Sequence, residues 1–273
     1  MIQTSDIKIV NCSPLELNSK ETDLIAHYTQ NTWQLDRSQT VKKSDTTLGK
    51  TAEMAVLKYI KKNLNQLQYL PYDYFRVDNC KKHAPFDGLI FKKDINNNTL
   101  KNIIDKINQQ VSLVKHGQID ALLKQECLHH HIYTVEIKST RITSRHYNSN
   151  ILNLYKILND DFLEYPKYTR TDPYNIIHNL DDYIRFIHQS TGLHQLKEDI
   201  LLEEKRNMKH IYIRVYIDES QSLAYIIGCI SYKTFIQKGM IKRMPQTNKS
   251  EYAVYWACPL HNGESIDILQ QLS

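Results

Sequence analysis

The segment His131–Thr140 constrains the fold of this chain more than any other stretch, because apolar and polar residues alternate from Tyr133 to Lys138. One face of an extended chain carries Tyr133, Val135 and Ile137, and the opposite face carries Thr134, Glu136 and Lys138. A period of two predicts a β-strand that packs one side against a core. The polar side combines a carboxylate with an ammonium group, which suits either an exposed face with an ion pair or a charged site.

Other segments rich in β-branched and aromatic residues predict the remaining strands. These are Tyr72–Val77, Phe86–Phe91, Ile211–Ile217, Ala224–Ile230 and Tyr252–Trp256. Helical spacing predicts helices at 24–33, 47–60, 99–127, 151–158, 176–187, 195–205 and 231–239. This order of elements predicts one α/β domain over residues 1–273, with a central mixed sheet flanked by helices. Residues 94–128 and 148–205 are predicted to be helical insertions.

A carboxylate heads the apolar stripe of the helix predicted at 47–60. Glu53, Leu57, Ile60 and Leu64 recur at helical spacing and fall on one face. A carboxylate in such a stripe needs a lysine or a metal ion beside it. Otherwise it needs a place near the helix N-terminus, where the helix dipole favours negative charge. The threonines at 47 and 51 are predicted to cap this helix.

The composition narrows the class of protein. Of the 273 residues, 41% are hydrophobic and 24% are charged, which is ordinary for a soluble globular chain. The five cysteines show no C-x-x-C spacing, so we expect neither a disulfide framework nor a zinc ribbon. This cysteine usage fits a reducing compartment. No signal-peptide pattern and no long apolar run are present, so we expect a cytoplasmic protein without a membrane segment. The net charge of +5 mildly favours a polyanionic partner.

Two short stretches carry the residue types that metal-dependent phosphodiester cleavage requires. They are Pro85-Phe86-Asp87-Gly88 and Val135-Glu136-Ile137-Lys138. Mg²⁺ takes oxygen ligands, commonly one or two protein carboxylates, so Asp87 and Glu136 could bind it if their strands are neighbours. The Ile137 backbone carbonyl is a natural third ligand. Lys138 lies on the same face as Glu136 and could reach the phosphate or the attacking water.

These residues resemble the PD-(D/E)xK nuclease superfamily, whose best-known members are type II restriction endonucleases. The resemblance covers residues 47–140 and, more loosely, 205–257. It implies a restriction-endonuclease-like core, a mixed sheet flanked by helices, in which the helix before the first core strand often carries an additional acid. It also implies that Asp87 and Glu136 bind the metal, that Lys138 is catalytic and that Glu53 is an auxiliary catalytic acid. The implied cofactor is Mg²⁺, for which Mn²⁺ could substitute.

The sequence departs from that pattern in two ways. The motif is Pro-Phe-Asp rather than Pro-Asp, and Glu136 follows Asp87 by 49 positions, which is longer than the usual hairpin link. We attribute the excess to an inserted helix between about residues 99 and 127. His83 lies close before Asp87 and could approach the site, although a surface turn is the simpler interpretation.

Side chains that suit phosphate contact surround these motifs. The candidates for DNA binding are Ser139, Thr140, Arg141 and Arg145 after the predicted strand, and Lys50 with Lys42 and Lys43 before it. Hydroxyl and guanidinium groups contact DNA phosphates, and an arginine can also bind guanine edges. The alternative for residues 139–147 is a solvated polar loop.

The resemblance therefore implies a metal-dependent endonuclease that cleaves double-stranded DNA, most simply a type II restriction enzyme. Duplex recognition calls for a two-fold symmetric protein, so we expect a homodimer, and a cognate DNA methyltransferase could act with it. Two alternatives stay open. One is a repair, recombination or transposon-type nuclease with the same core, and the other is a DNA-binding module that has lost catalysis.

Overall fold

The structure is a computed structural model in which residues 1–13, 17, 38–113, 118–164, 208–245 and 252–272 are described. The strands are β1 (Lys8–Asn11), β2 (Leu67–Pro71), β3 (Gly88–Lys92), β4 (Tyr133–Arg141), β5 (Tyr147–Asn148), β6 (Ile151–Leu152), β7 (Asp161–Glu164), β8 (Ile211–Asp218), β9 (Leu223–Ser231), β10 (Met240–Pro245) and β11 (Tyr252–Pro259). The α-helices are α1 (Gln39–Asn63), α2 (Asn97–Leu113), α3 (Ala121–His129), α4 (Leu154–Leu158) and α5 (Tyr232–Lys238).

A six-stranded sheet with the strand order β1-β9-β8-β4-β3-β2 forms the centre of the described chain. Neighbouring strands are antiparallel except β4 and β8, which are parallel. In that parallel pair Glu136 lies opposite Tyr212, and Lys138 lies opposite Arg214. Parallel neighbours require a long crossover connection, which the chain between Arg141 and Ile211 supplies. Strands β10, β11 and β7 form a second, three-stranded sheet, and β5 pairs with β6 as a hairpin.

Helix α1 covers one face of the six-stranded sheet. Its apolar side forms one buried cluster with the odd-numbered residues of β4 and β8, including Ala52, Ala55, Val56, Ile60, Val135, Ile137, Ile213 and Val215. Because side chains alternate along a strand, Glu136 and Lys138 lie on the other side of β4. The strand predicted at 131–140 and its division into two faces are confirmed.

The N-terminus of α1 differs from the prediction. The helix begins after Ser38, whose hydroxyl accepts a hydrogen bond from the Val41 N–H at 3.4 Å. Thr47 and Thr51 lie inside the helix, where the Thr51 hydroxyl donates to the Thr47 carbonyl at 2.8 Å. The prediction that these threonines cap the helix is therefore wrong, because the polar run that precedes them is itself helical.

Two further apolar clusters cover the rest of the sheet. The even-numbered residues of β8 pack against the three-stranded sheet and α5, in a cluster that includes Tyr212, Tyr216, Phe162, Phe235 and Trp256. Strand β3 packs against α2 and α3, in a cluster that includes Leu89, Phe91, Ile103, Ile107, Val111, Leu123 and Cys127. The insertion predicted at 94–128 is helical, but it contains the two helices α2 and α3 rather than the single helix predicted at 99–127. The architecture is a mixed α/β fold, with its central sheet flanked by helices.

The strand predicted at Tyr72–Val77 is wrong. Strand β2 ends at Pro71, and Tyr72–Tyr74 form a 3-10 turn. Tyr72 packs inward, and its ring makes edge-to-face contacts with Phe75 and Phe86, whereas Tyr74 is exposed. The burial of Tyr72 satisfies its hydrophobic preference without extended backbone.

The predicted insertion at 148–205 is only partly described, and the helix predicted at 151–158 is confirmed only over Leu154–Leu158, because Ile151–Leu152 form β6. Ser149 and Asn150 have positive φ angles of 48° and 69° and form the tight turn of the β5-β6 hairpin. Asn153 then caps α4, which is short. Strand β7 in this segment, and β10 later in the chain, are not predicted.

The helices predicted at 24–33, 176–187 and 195–205 lie outside the described residues. The predicted strands at 86–91, 211–217, 224–230 and 252–256 are confirmed to within a few residues, as is the helix between Ser231 and Gly239. Within the described ranges, no helix has the length and apolar character needed to cross a membrane.

Candidate active site

The antiparallel pairing of β3 with β4 brings Asp87 to the middle of β4. Gly88 lies opposite Val135, and Asp87 immediately precedes β3. The Asp87 N–H donates to the Val135 carbonyl at 2.9 Å, and its carboxylate Oδ2 accepts from the Ile137 N–H at 2.6 Å. Strand pairing therefore brings Asp87 and Glu136 together although they are far apart in sequence. Helices α2 and α3 belong to the stretch of chain that connects β3 to β4.

A close approach of three strands fixes the backbone at Asp87. A Cβ atom added to Gly88 would lie 2.7 Å from the Leu70 carbonyl oxygen and closer still to the Tyr69 ring. That proximity lets the Tyr69 hydroxyl donate to the Asp87 carbonyl at 3.1 Å. Glycine is required at this position because no side chain fits between β2 and β3.

Glu136 lies between two lysines. Its Oε1 is 2.6 Å from Lys138 Nζ, and its Oε2 is 3.5 Å from Lys209 Nζ. Lys209 also contacts Glu164 Oε2 at 3.4 Å. Glu164 ends β7 and Lys209 precedes β8, so the crossover between β4 and β8 contributes a carboxylate and an ammonium group to the same cluster.

Glu53 faces the site from α1 and is 8% exposed. Lys50 Nζ contacts both of its carboxylate oxygens, at 2.7 and 2.8 Å, and also pairs with Asp73. Asp73 in turn accepts a hydrogen bond from Arg76 at 2.8 Å. Arg76 is further held by Asp78 at 2.7 Å. Carboxylates and cations therefore alternate from α1 into the loop that leads to Asp87.

The pKa shifts show that the three acidic groups predicted for the site influence one another. Burial raises the pKa of Asp87 well above its usual range, and the charges of Glu136 and Glu53 raise it further. Burial also raises the pKa of Glu53, against the opposing charge of Lys50. Burial acts in the same direction on Glu136, but the charges of Lys138 and Lys209 outweigh it and lower that pKa. Burial and the two neighbouring carboxylates therefore all favour the protonated form of Asp87.

The donor set suits a hard divalent cation. Within the part of the chain that the structure describes, no three His, Cys, Asp or Glu side chains are grouped so as to hold a metal ion. Mg²⁺ needs fewer protein ligands, because water and phosphate oxygens complete its octahedron. Asp87 and Glu136 supply two carboxylates. The Ile137 N–H points towards Asp87. In an extended strand the carbonyl of the same residue points in the same direction, so the Ile137 carbonyl also lies on the Asp87 side of β4.

The predicted DNA-binding residues fall into two groups. Thr140 and Arg141 belong to β4 and are already engaged within the protein. The Thr140 hydroxyl accepts from Arg214 at 2.8 Å, and Arg141 donates to the Ser44 carbonyl at 2.8 Å. Ser139 is half-buried on the same strand, and Arg145 is exposed in a 3-10 turn.

The three lysines predicted earlier in the chain also differ from one another. Lys50 is paired with Glu53 and Asp73, as described above. Lys42 is only 2% exposed, whereas Lys43 is exposed. Of this group, Lys43 has the exposure expected of a phosphate contact.

Several residues of the cluster are not predicted from the sequence. Asp73 and Arg76 lie in the segment mistaken for a strand, and Glu164 lies in the segment predicted to be helical. Lys209 precedes a correctly predicted strand, but its position beside Glu136 depends on the parallel pairing of β4 with β8. The charge of His83 lowers the pKa of Glu136 too, so this histidine lies near the cluster.

Comparison with known proteins identifies no relative. No protein-family model matches the chain, and neither curated proteins nor solved structures give a significant match. Functional inference for this chain therefore depends on its own residues and their geometry.

Proposed function

We propose that this chain is a metal-dependent endonuclease of the PD-(D/E)xK type, which hydrolyses phosphodiester bonds of double-stranded DNA. One observation carries the proposal. Asp87 is far in sequence from Glu136 and Lys138, yet its carboxylate accepts a hydrogen bond from the backbone N–H of Ile137, the residue between those two. A surface strand with an ordinary ion pair would not require a buried aspartate at that point.

The surrounding fold supports the same proposal. The resemblance implies a mixed sheet flanked by helices and an acidic residue on the helix before the first core strand. Helix α1 precedes β2 and carries Glu53 towards Asp87, and the pKa of Asp87 responds to the charge of Glu53. On this proposal the restriction-endonuclease-like core comprises α1, β2, β3, β4 and the strands β8 and β9.

Each group has a definite role in this mechanism. Asp87, Glu136 and the Ile137 carbonyl would hold Mg²⁺ or Mn²⁺, which when bound acidifies a water molecule and neutralises charge on the phosphate. Lys138 has an exposed fraction of 30%, so its ammonium group can turn from Glu136 towards the attacking water or a phosphate oxygen. Glu53, which Lys50 holds, would accept a proton or bind an outer water molecule.

A plasmid cleavage assay tests the proposal. We expect the protein to cut supercoiled plasmid with Mg²⁺ or Mn²⁺ and not with EDTA. Because each group acts on charge that develops in the transition state, Asp87→Asn, Glu136→Gln and Lys138→Met should each lower the cleavage rate about a hundredfold or more. Glu126→Gln is the matched control, since Glu126 forms an ion pair with Lys106 on the helical insertion.

The product pattern distinguishes the kinds of nuclease. Discrete fragments indicate a restriction enzyme, which we expect to be a homodimer and which could act with a cognate DNA methyltransferase. Nicking or smearing indicates a repair, recombination or transposon-type enzyme. DNA binding without cleavage indicates a silent module. Cleavage that survives in both Asp87→Asn and Lys138→Met would show that the site is assigned to the wrong residues.

A further inference from the structure

We propose that Lys209 is a second phosphate-binding lysine of this site, which neutralises Glu136 when no cation is bound and contacts the substrate phosphate when the metal engages Glu136. The proposal rests on the nuclease function proposed above and extends it to a residue that no sequence motif indicates. Its geometric basis is that the two oxygens of Glu136 have separate ammonium partners, Lys138 on Oε1 and Lys209 on Oε2.

The backbone at Lys209 is fixed beside the site. The Lys209 N–H donates to the Tyr212 hydroxyl at 3.1 Å, and Tyr212 lies directly opposite Glu136 in the β4–β8 register. The next residue, His210, donates its N–H to the Thr134 hydroxyl at 3.1 Å. The backbone from which the Lys209 side chain starts is therefore held by β8 through Tyr212 and by β4 through Thr134, and only the flexible end of the side chain needs to move.

The charges of the cluster require a change of partner when a cation binds. Its five carboxylates are Glu53, Asp73, Asp87, Glu136 and Glu164, and its four cationic groups are Lys50, Arg76, Lys138 and Lys209. With every group ionised the cluster carries one net negative charge, which a divalent cation and one phosphodiester together would cancel. A cation on Glu136 would repel both neighbouring ammonium groups. Glu164 keeps Lys209 within the site, and the phosphate anion is its new partner.

The first test measures metal affinity without DNA. Mn²⁺ is titrated into the full-length protein by calorimetry. Lys209→Met removes a competing positive charge, so we expect Mn²⁺ to bind about tenfold tighter. Glu164→Gln removes one of the two carboxylates that contact Lys209, so that Lys209 pairs with Glu136 only, and Mn²⁺ should bind more weakly. A lysine that only held β7 in place would lower the affinity in both variants, and that result would overturn the proposal. Lys106→Met is the control and should bind Mn²⁺ as the wild type does.

The second test counts phosphate contacts. Binding of a labelled plasmid fragment in Mn²⁺ is measured across salt concentrations, in a Lys138→Met background that silences cleavage. Adding Lys209→Met should weaken binding about tenfold and reduce the slope of log K against log salt by about one. Lys209→Gln, which keeps a hydrogen-bonding side chain, repeats the measurement if the methionine variant does not fold. An unchanged slope would overturn the proposal.

The two proposals fail in different ways. If the wild type cleaves DNA and Lys209→Met changes neither Mn²⁺ affinity nor the salt slope, only the role of Lys209 is refuted. If the wild type binds neither Mn²⁺ nor DNA, the nuclease function is refuted and the role of Lys209 with it.

Discussion

The same change, glycine to alanine, is expected to lower the stability of the protein at one position and to raise it at another. In Gly88→Ala the new methyl group would lie 2.7 Å from the Leu70 carbonyl oxygen and would overlap the Tyr69 ring. Backbone on the neighbouring strand cannot yield without disturbing the β2–β3 register, so an overpacking cost of about 1–3 kcal/mol is expected. For a chain of this size that cost lowers Tm by about 2–10 °C.

Gly49→Ala is the matched control. Gly49 lies inside α1, and a Cβ atom there meets nothing within 4 Å. Alanine loses less backbone entropy than glycine in a helix interior, so this variant should gain about 0.5–1 kcal/mol and unfold a few degrees higher. Differential scanning calorimetry of both variants checks the pair. Wild-type stability in Gly88→Ala, or a loss in Gly49→Ala, would refute the packing assigned to these strands.

Two further predictions concern pH. The raised pKa of Asp87 means that its protonated form is favoured by folding, so the stability it contributes is lost as pH rises through that pKa. The asparagine in Asp87→Asn can still accept a hydrogen bond from the Ile137 N–H. This variant should therefore be more stable than the wild type near neutral pH, and the difference should disappear at acidic pH. Urea unfolding at several pH values checks this. Burial and the charge of Lys124 lower the pKa of His210 to about 4, so the wild type should lose stability as pH falls from about 6.5 towards 4. His210→Asn should lose less over that window, and equal losses would contradict the burial of a neutral imidazole.

Strand β4 could be predicted in detail because its pattern has two independent parts. The apolar positions require a core on one side, and Val135 and Ile137 do lie in the cluster under α1. The polar positions then follow by parity, which places Glu136 and Lys138 together. The same logic fixed the stripe of α1 that carries Glu53. Periodicity fails where an aromatic residue is buried without regular backbone, as at Tyr72, because burial alone satisfies its hydrophobic preference.

Lys209 and Glu164 could not be predicted because their positions depend on long-range pairing. A parallel neighbour for β4 could be supplied by more than one later strand, and the choice of β8 decides which residue meets Glu136. Only then does the residue before β8 become part of the cluster. Charged residues outside a periodic pattern carry no local sign of such a role.

The pairing of Asp87 with Glu136 spans 49 positions of sequence, which is longer than the usual hairpin link. The entropic cost of closing a loop grows only with the logarithm of its length, so an insertion of this size adds little to the cost of pairing β3 with β4. The insertion also stabilises that pair, since α2 and α3 bury Leu89 and Phe91 on β3. The residues that lengthen the link therefore form part of the core that holds Asp87 in place. Separation in sequence is a poor argument against a shared site when the intervening chain has an amphipathic face of its own.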